Sequence, residues 1–274
     1  MNGLCLTSVR SPFDGPVYRI ERTGSTMEDA KRFADEGAPD GTVIVADYQE
    51  RGRGRFAERL WVSEAGESLL FTIFFRYNDF SHIPEALTLR TGLAVSEAVD
   101  GFIKPEKTAV KWPNDVMAGK KKLAGILTEG VSNTVFIGVG VNVFQRHFPA
   151  NQGTGRMNAA SIALVKPEPE VPEGASGFGA EDQVAARDAT RFLLLEKILA
   201  ELDGELNTES RVFAWRERLE KRLFMRGREV VFAPGGRGTE NMVRGVVKGI
   251  GGGGELLVQT ASGEETFISG EIRL

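Results

Sequence analysis

The sequence has very little cysteine and histidine, and it lacks a long apolar run. Cys5 is the one cysteine among 274 residues, and two histidines accompany it. An internal disulfide framework is therefore excluded, and a Cys/His zinc site nearly so. The longest apolar stretch, residues 69–75, is interrupted by Thr72 and is far too short to cross a bilayer. No secretory signal pattern opens the chain, so a cytoplasmic protein is expected.

An excess of positive charge is also missing. The chain has 38 acidic and 34 basic residues, for a formal net charge of −4. This balance argues against a protein dominated by nonspecific nucleic-acid binding, although it permits a local basic patch. The apolar fraction of 41% and charged fraction of 26% are ordinary for a globular chain that buries a core. The length suits one large domain, or a large one with a small one.

Apolar periodicity predicts several strands and one long helix in the first half of the chain. A short helix is expected to begin at Ser25, where Ser25 and Glu28 fit a capping box. A long helix is expected at 84–102, with Pro84 in its first turn. Strands are predicted at 17–20, 42–46, 68–77, 109–112, 122–128 and 134–143. This mixture predicts an α+β fold rather than repeated βαβ units.

The second half of the chain changes character twice. A segment at 166–177, rich in proline, glutamate and glycine, is predicted to be a surface loop, part of a flexible stretch at about 150–180. Helical patterns return at 183–206 and 210–223. After Gly227, short strands with glycine turns predict a small antiparallel barrel or sandwich, with 251–254 as a hairpin turn. We therefore predict two domains, 1–225 and 226–274.

The first segment with chemical interest is an arginine- and glycine-rich loop at 49–61. Glycines let backbone N–H groups approach a ligand, and guanidinium groups suit phosphate or carboxylate. A solvated basic loop or an RNA-binding stretch remains an equal alternative, and Trp61 could stack on a base or simply pack. The two common glycine-rich nucleotide motifs are absent, so a nucleotide site here would be of another kind. The loop contains Arg51, Gly52, Arg53, Gly54, Arg55 and Arg59.

The second segment is Lys-Trp-Pro-Asn-Asp-Val at 111–116, followed by a lysine-led strand. The proline breaks the first strand and leaves Asn114 and Asp115 at its exposed end. These side chains could bind a base or sugar, or hold magnesium through water, although turn chemistry is favoured for the pair alone. Lys122 is placed at the edge of a buried pocket, and Gly125 indicates a bulge or a close approach to the backbone.

A third segment, Gly-Val-Gly-Val-Asn at 138–142, places glycines on one face of a strand. We expect that face of the strand to stay clear of side chains. Taken alone, this pattern is more typical of tight packing than of a ligand site, so it gains weight only beside the other two segments.

Taken in order, these segments resemble the biotin–protein ligase family. The resemblance covers about residues 17–225 and implies a mixed-sheet, class II synthetase-like catalytic domain. The tail, ending Ser-Gly-Glu-Ile-Arg at 269–273, is similar to the family's C-terminal SH3-like barrel. The matching motifs are Gly-Ser-Thr at 24–26, Gln-x-x-Gly-Arg-Gly-Arg at 49–55 with Trp61, the two blocks at 111–116 and 122–127, and 138–142.

The resemblance implies a ligase that makes biotinyl-5′-AMP from biotin and MgATP. It then passes biotin to a lysine of the biotin carboxyl carrier domain of a carboxylase, and it needs no protein nucleophile. No protein ligand of magnesium is implied. The implied catalytic residues are Arg55 and Lys122; the implied biotin-binding residues are Ser25, Thr26, Gln49, Gly52, Arg53, Lys122, Gly125 and Leu127; the implied ATP-binding residues are Arg55, Trp61, Asn114, Asp115 and Asn142.

Three departures from the family pattern accompany this resemblance. Met27 stands where the family often has asparagine, the arginine loop is one residue longer and less basic, and Ser63-Glu64 replaces Ser-Pro. The 16 residues before the first predicted strand are too few for a winged helix-turn-helix domain, so DNA binding is not expected. Membrane binding is not expected either, because the apolar runs are short. A homodimer stays open. The alternatives are a lipoate–protein ligase and a biotin- or nucleic-acid-binding module without turnover.

Overall fold

A computed structural model of the chain describes residues 3–56, 60–104, 106–148, 159–166, 180–235 and 242–273. The predicted surface loop at 166–177 lies almost wholly outside these residues, and so does Arg59. Within the described residues, the chain forms two β-sheets, five α-helices and a two-stranded ribbon in the arginine loop.

The larger sheet has eight strands in the order β1-β2-β3-β6-β10-β9-β8-β7. Strands β2 and β3 are connected by the helix Thr26–Asp35 and run parallel. Every other neighbouring pair in this sheet is antiparallel. The predicted α+β fold with a mixed sheet is confirmed. The strands are β1 Leu4–Leu6, β2 Val17–Thr23, β3 Val43–Gln49, β6 Ser68–Arg76, β7 Thr108–Lys111, β8 Asp115–Ala118, β9 Lys121–Val131 and β10 Thr134–Asn142.

Helices cover both faces of this sheet, which explains the nearly continuous apolar run in β6. Leu69, Phe71 and Ile73 pack into a core shared with helices α2 and α4, whereas Phe74 joins a second core under α1. Within the described ranges, none of the helices is both long and apolar enough to span a membrane. The helices are α1 Thr26–Asp35, α2 Leu87–Asp100, α3 Ile162–Val165, α4 Ala180–Asn207 and α5 Glu209–Lys221.

The first sheet differs from the sequence prediction in three places. The N-terminal strand β1 is not predicted by the sequence, and neither is β8, whose first residue, Asp115, is expected at the exposed end of the preceding strand. Both strands are only three or four residues long, so their period-two pattern is weak. Helix α2 begins at Leu87 rather than at Pro84. Ala86 before it has a φ of 53°, which stops the helical backbone from continuing toward Pro84.

The smaller sheet is entirely antiparallel, with the order β14-β13-β12-β11-β15. It agrees with the predicted small SH3-like barrel, and the turn at 251–254 is present, with the Gly251 amide donating to the Glu255 carbonyl at 2.8 Å. The division at 225/226 stays a prediction. The strands are β11 Glu229–Pro234, β12 Val243–Ile250, β13 Leu256–Thr260, β14 Gly263–Phe267 and β15 Gly270–Arg273.

The two sheets share one apolar cluster at their junction. Trp112, which follows β7, packs against Phe232 of β11 with ring centroids 5.8 Å apart. The indole Nε1 of Trp112 also donates to the Gly254 carbonyl at 2.9 Å. The tryptophan of the Lys-Trp-Pro-Asn-Asp block is therefore a structural contact between the two sheets.

A group of four charged side chains ties helix α4 to β2 and β3. The guanidinium of Arg191 binds Asp47 at 2.7 Å and also binds Asp188, and Arg19 binds the same two carboxylates at 2.8 and 2.6 Å. Desolvation by itself would raise the pKa of Asp188. The hydrogen bonds and charges of the two arginines outweigh it, so the pKa of Asp188 is lowered.

This lowered pKa leads us to expect acid-sensitive stability. Unfolded Asp188 would titrate near the ordinary aspartate value of about 3.9. Below that pH the unfolded chain takes up a proton more readily than the folded protein, so the free energy of unfolding decreases as the pH falls through the folded pKa. Urea titrations between pH 7 and pH 2.5 measure this decrease. D188N should show a shallower pH dependence, and an unchanged dependence would exclude Asp188 as a cause.

Candidate active site

A cavity of about 900 Å³ lies on the larger sheet, beneath the arginine loop. Arg55 and Lys122, which come from separate segments of the chain, both line it. Gly52 is the one predicted site residue that does not line the cavity; it pairs with Trp61 in the two-stranded ribbon of the loop, and an added Cβ would meet the Trp61 carbonyl at 2.8 Å. The predicted residues that line the cavity are Ser25, Thr26, Gln49, Arg53, Arg55, Trp61, Asn114, Asp115, Lys122, Gly125, Leu127 and Asn142.

One end of the cavity carries a small hydrogen-bonding group at the start of α1. The backbone N–H and hydroxyl of Thr26 both donate to Gln49 Oε1, at 2.7 and 3.0 Å. The Thr26 hydroxyl also lies 2.9 Å from the hydroxyl of Thr72 on β6. The sequence did not predict Thr72 as a site residue. Its signal is a polar residue inside an otherwise apolar strand.

The capping box predicted at Ser25 is not formed. Ser25 does occupy the N-cap position, but its side chain makes no capping hydrogen bond. Gln49 accepts from the first turn of the helix in its place, and Glu28 turns outward to pair with Arg53. The Ser25 side chain is thus available to the cavity that it lines.

Three glycines form the floor of the cavity. An added Cβ would lie 3.1 Å from Trp61 Cζ3 at Gly125 and 2.8 Å from Trp61 Cε2 at Gly140. At Gly138 it would lie 3.0 Å from Met27 Cε. The glycine face of β10 is therefore covered rather than clear, because Trp61 and Met27 pack directly on the backbone.

The ammonium of Lys122 lies beside this floor. Its Nζ is 2.5 Å from Asp115 Oδ1 and 5.7 Å from the centroid of the Trp61 ring system. Asp115 faces Gly125 in the strand register, so the absence of a side chain at Gly125 leaves room for the lysine. The arrangement holds a positive charge at the cavity wall, with an aromatic ring beside it.

Asn114 and Asn142 line the cavity but use their amides to hold the backbone. Asn114 Nδ2 donates to the Ile126 carbonyl at 2.9 Å, and Asn142 Nδ2 donates to the Ala160 carbonyl at 2.9 Å. The Asn114 bond reaches across to β9 and is not a bond within its own turn, so the choice between turn chemistry and ligand binding stays a prediction. The amide oxygens of both residues remain chemically suited to accept from a ligand.

The arginine loop is folded against its surroundings. Strands β4 Gly52–Arg53 and β5 Leu60–Trp61 pair within it. Arg53 pairs with Glu28, whereas Arg55 donates to the Gly270 carbonyl of the second sheet at 2.6 Å and stacks on Phe56. These contacts offset part of the repulsion expected between the loop's like charges.

The second sheet contributes directly to the cavity, which the sequence did not predict. Glu271 follows Gly270 on β15 and lines the cavity, and Lys111, only 2% exposed, lines it from the end of β7. A buried lysine and a buried glutamate are unusual in a globular core and therefore indicate a site. Glu271 did not stand out in the sequence as a ligand contact because it lies far from the other chemical segments, and Lys111 opens the block at 111–116 but was assigned no role there.

The donor set fits magnesium that arrives with phosphates rather than a preformed metal cage. Within the described ranges, no group of three or more histidine, cysteine, aspartate or glutamate side chains could hold a metal ion. Asp115 and Glu271 are carboxylates at the cavity. Magnesium commonly binds one or two carboxylates together with substrate phosphates and water, so carboxylates at this cavity suit an ion that arrives with a nucleotide.

The fold and the cavity define a class of protein. It is an α+β protein with a mixed sheet, whose cavity joins a hydrogen-bonding end to a wall of cationic groups that suits a small anionic ligand.

Comparison with known proteins finds one family profile and several ligases that resemble this chain. The profile described as "Biotin/lipoate A/B protein ligase family" matches residues 19–142. A biotin--[acetyl-CoA-carboxylase] ligase from Mycobacterium tuberculosis is 41% identical over 133 residues, covering 46% of this chain and 48% of that protein, so the match spans about half of that relative's length. The corresponding ligase from Paracoccus denitrificans is 27% identical over 263 residues, covering 92% of this chain and 98% of that protein.

A solved structure extends the likeness to the whole described fold. The structure described as biotin protein ligase from Aquifex aeolicus in complex with biotin and ATP has a TM-score of 0.68 and 27% identity. It covers 95% of this chain and 98% of that one. These comparisons show what the chain is similar to: the profile covers residues 19–142, and the two proteins that match nearly the whole chain do so at 27% identity.

Proposed function

We propose that this protein is an ATP-dependent biotin–[biotin carboxyl-carrier protein] ligase. The observation that carries the proposal is that Arg55 and Lys122, from separate segments, line one cavity whose far end holds the hydrogen-bonding group of Thr26, Gln49 and Thr72. The hydrogen-bonding group therefore offers partners for the polar ring of biotin. Arg55 and Lys122 offer positive charge for the biotin carboxylate and the α-phosphate. The Aquifex aeolicus structure with biotin and ATP supports the same assignment.

The first reaction joins two anions, and electrostatics is its main difficulty. A carboxylate oxygen of biotin attacks the α-phosphorus of ATP, the bond to the bridging oxygen breaks, and pyrophosphate leaves. Lys122 and Arg55 are proposed to contact the carboxylate and the α-phosphate, where fixed positive charge stabilises the transition state. Magnesium bound to the phosphates, held by Asp115 and Glu271, would neutralise further negative charge.

The remaining site residues are proposed to position the two substrates. The residues assigned to biotin are Ser25, Thr26, Gln49, Arg53, Gly125 and Leu127. Gly52 is proposed to support the loop through its pairing with Trp61. Trp61, Asn114, Asp115 and Asn142 are assigned to ATP. Trp61 lies directly against Gly125, so under these assignments biotin and ATP would bind side by side, as the attack on the α-phosphate requires.

The second reaction needs no protein nucleophile. The amine of a carrier lysine attacks the acyl carbon of biotinyl-5′-AMP, the bond to the phosphate oxygen breaks, AMP leaves, and the nitrogen loses a proton. We propose the biotin carboxyl carrier domain of a carboxylase as the partner and the cytoplasm as the location, without DNA or membrane binding. Sedimentation analysis would decide between a monomer and a homodimer.

Carrier labelling tests this function. The purified chain, incubated with biotin, MgATP and a biotin carboxyl carrier domain, should produce a biotinylated carrier and release pyrophosphate. A carrier domain whose acceptor lysine is replaced by arginine is the control and should stay unlabelled. Lipoate should not compete with biotin during pyrophosphate exchange. Preferential use of lipoate, or tight biotin binding without pyrophosphate release, would contradict the proposal.

A further inference from the structure

Met27 separates the cavity from an apolar core. It is the second residue of α1, is only 3% exposed, and packs in the cluster between that helix and the sheet, which includes Ile44, Phe74 and Phe136. The same side chain lines the cavity. A residue with both environments forms a wall, so the size of its side chain sets how far the cavity extends toward the core.

A row of residues across three strands lies beside this wall. Gly138 on β10 pairs in register with Thr72 on β6 and with Leu127 on β9. A Cβ on Gly138 would lie 3.0 Å from Met27 Cε and 3.5 Å from the Thr72 hydroxyl. Met27 therefore lies directly over the position where Gly138 lacks a side chain, and the two residues share one limited volume.

The two sides of this wall differ in chemistry. Thr72 belongs to the hydrogen-bonding group with Thr26 and Gln49, whereas Met27 and Leu127 are apolar. A ligand that fills this end needs a compact ring system with hydrogen-bonding groups on one edge and an apolar opposite edge. If the acid is biotin, its ureido group matches the polar side, because that group needs partners when buried, and its thioether ring matches Met27.

We infer that the contact between Met27 and Gly138 sets the largest ring head group that the protein accepts. This inference rests on the proposed function and deepens it, since it names the residues that select among biotin-like acids. Met27 acts by excluding volume at the end of the site and takes no part in the bond-making steps. Acids enlarged at the thioether edge of the ring are therefore excluded.

Calorimetric binding of biotin and biotin sulfone tests the inference. The sulfone carries two additional oxygens on the ring sulfur, and discrimination is measured as the ratio of its Kd to that of biotin. M27A should lower this ratio about tenfold, the low end of the range that one misfitting methylene produces, because the loss of three side-chain atoms leaves room for the sulfone oxygens. G138A should raise the ratio, because its methyl group pushes Met27 into the cavity. The M27A/G138A double variant should return toward the original ratio.

Two comparisons keep the test decisive. Met117 is fully buried in the same sheet and does not line the cavity, so M117A controls for a general loss of core packing. If M27A does not fold, G138A carries the test alone, because it removes no core atoms. Ratios that are unchanged in the folded variants, or that shift equally in M117A, would overturn the inference while leaving the proposed function intact. Failure of the original chain to bind biotin would overturn both.

Discussion

Replacement of Lys122 by alanine should slow the formation of biotinyl-5′-AMP by roughly 10²-fold or more, the effect expected when one transition-state charge contact is lost. The ammonium lies at the cavity wall, 2.5 Å from Asp115, and Lys122 is less exposed than Lys121, which also lines the cavity from the preceding position on the strand. Single-turnover formation of the adenylate, measured by rapid quench at saturating biotin and MgATP, reports the step directly.

A matched variant and a bypass reaction separate chemistry from folding. Lys120 is an exposed turn residue two positions away and does not line the cavity, so K120A should retain the original rate. If synthetic biotinyl-5′-AMP is supplied, K122A should transfer biotin to the carrier with a smaller loss than in adenylation. Equal adenylation rates in K122A and the original chain would remove Lys122 from the mechanism.

Two of the chemical segments stand out in the sequence because each one combines charged residues with a break in regular structure. The proline after the strand at 109–112 fixed the position of Asn114 and Asp115, and the lysine leading an apolar strand placed Lys122 at a pocket edge. These are local effects, and the residues that cause them are neighbours in the chain. Twelve of the thirteen residues that the resemblance implied for the site line one cavity.

The features that the sequence did not predict are set by distant contacts. Gln49 replaces the Ser25 side chain at the start of α1 only because β3 ends beside that helix. The approach of Gly270 to Arg55 depends on how the second sheet packs against the first. No periodicity along the chain encodes either arrangement, because strand order and sheet packing are properties of the assembled fold.

The alternating glycines at 138–142 show how one pattern can serve two purposes. The sequence predicted a strand face that stays clear, and the alternative was tight packing. The structure has side chains packed on the glycines, with Met27 over Gly138 and Trp61 over Gly140, yet these same side chains are the walls of the cavity. Close packing on bare backbone is thus what shapes the site.

The largest expected loss of stability follows from replacing Arg191 with methionine. Arg191 is 1% exposed and binds both Asp47 and Asp188. Its Nη1 also donates to the Ser68 carbonyl at 3.4 Å. Methionine keeps most of the aliphatic volume but leaves two poorly hydrated carboxylates with Arg19 as their remaining partner. Breaking a buried ion pair by removing one member typically costs about 3–5 kcal/mol, so the free energy of unfolding should fall by about that amount.

Urea unfolding of R191M and R187M distinguishes a buried pair from an exposed one. Arg187 lies one turn earlier on α4 and pairs with Glu67, but its side chain is 49% exposed, so R187M should change the free energy of unfolding by about 1 kcal/mol or less. Adding D188N to R191M should recover part of the loss, because it removes one of the uncompensated charges. If R191M and R187M were equally stable, the four charged residues would not be what holds α4 against β3, and the position of Gln49 at the end of that strand would need another support.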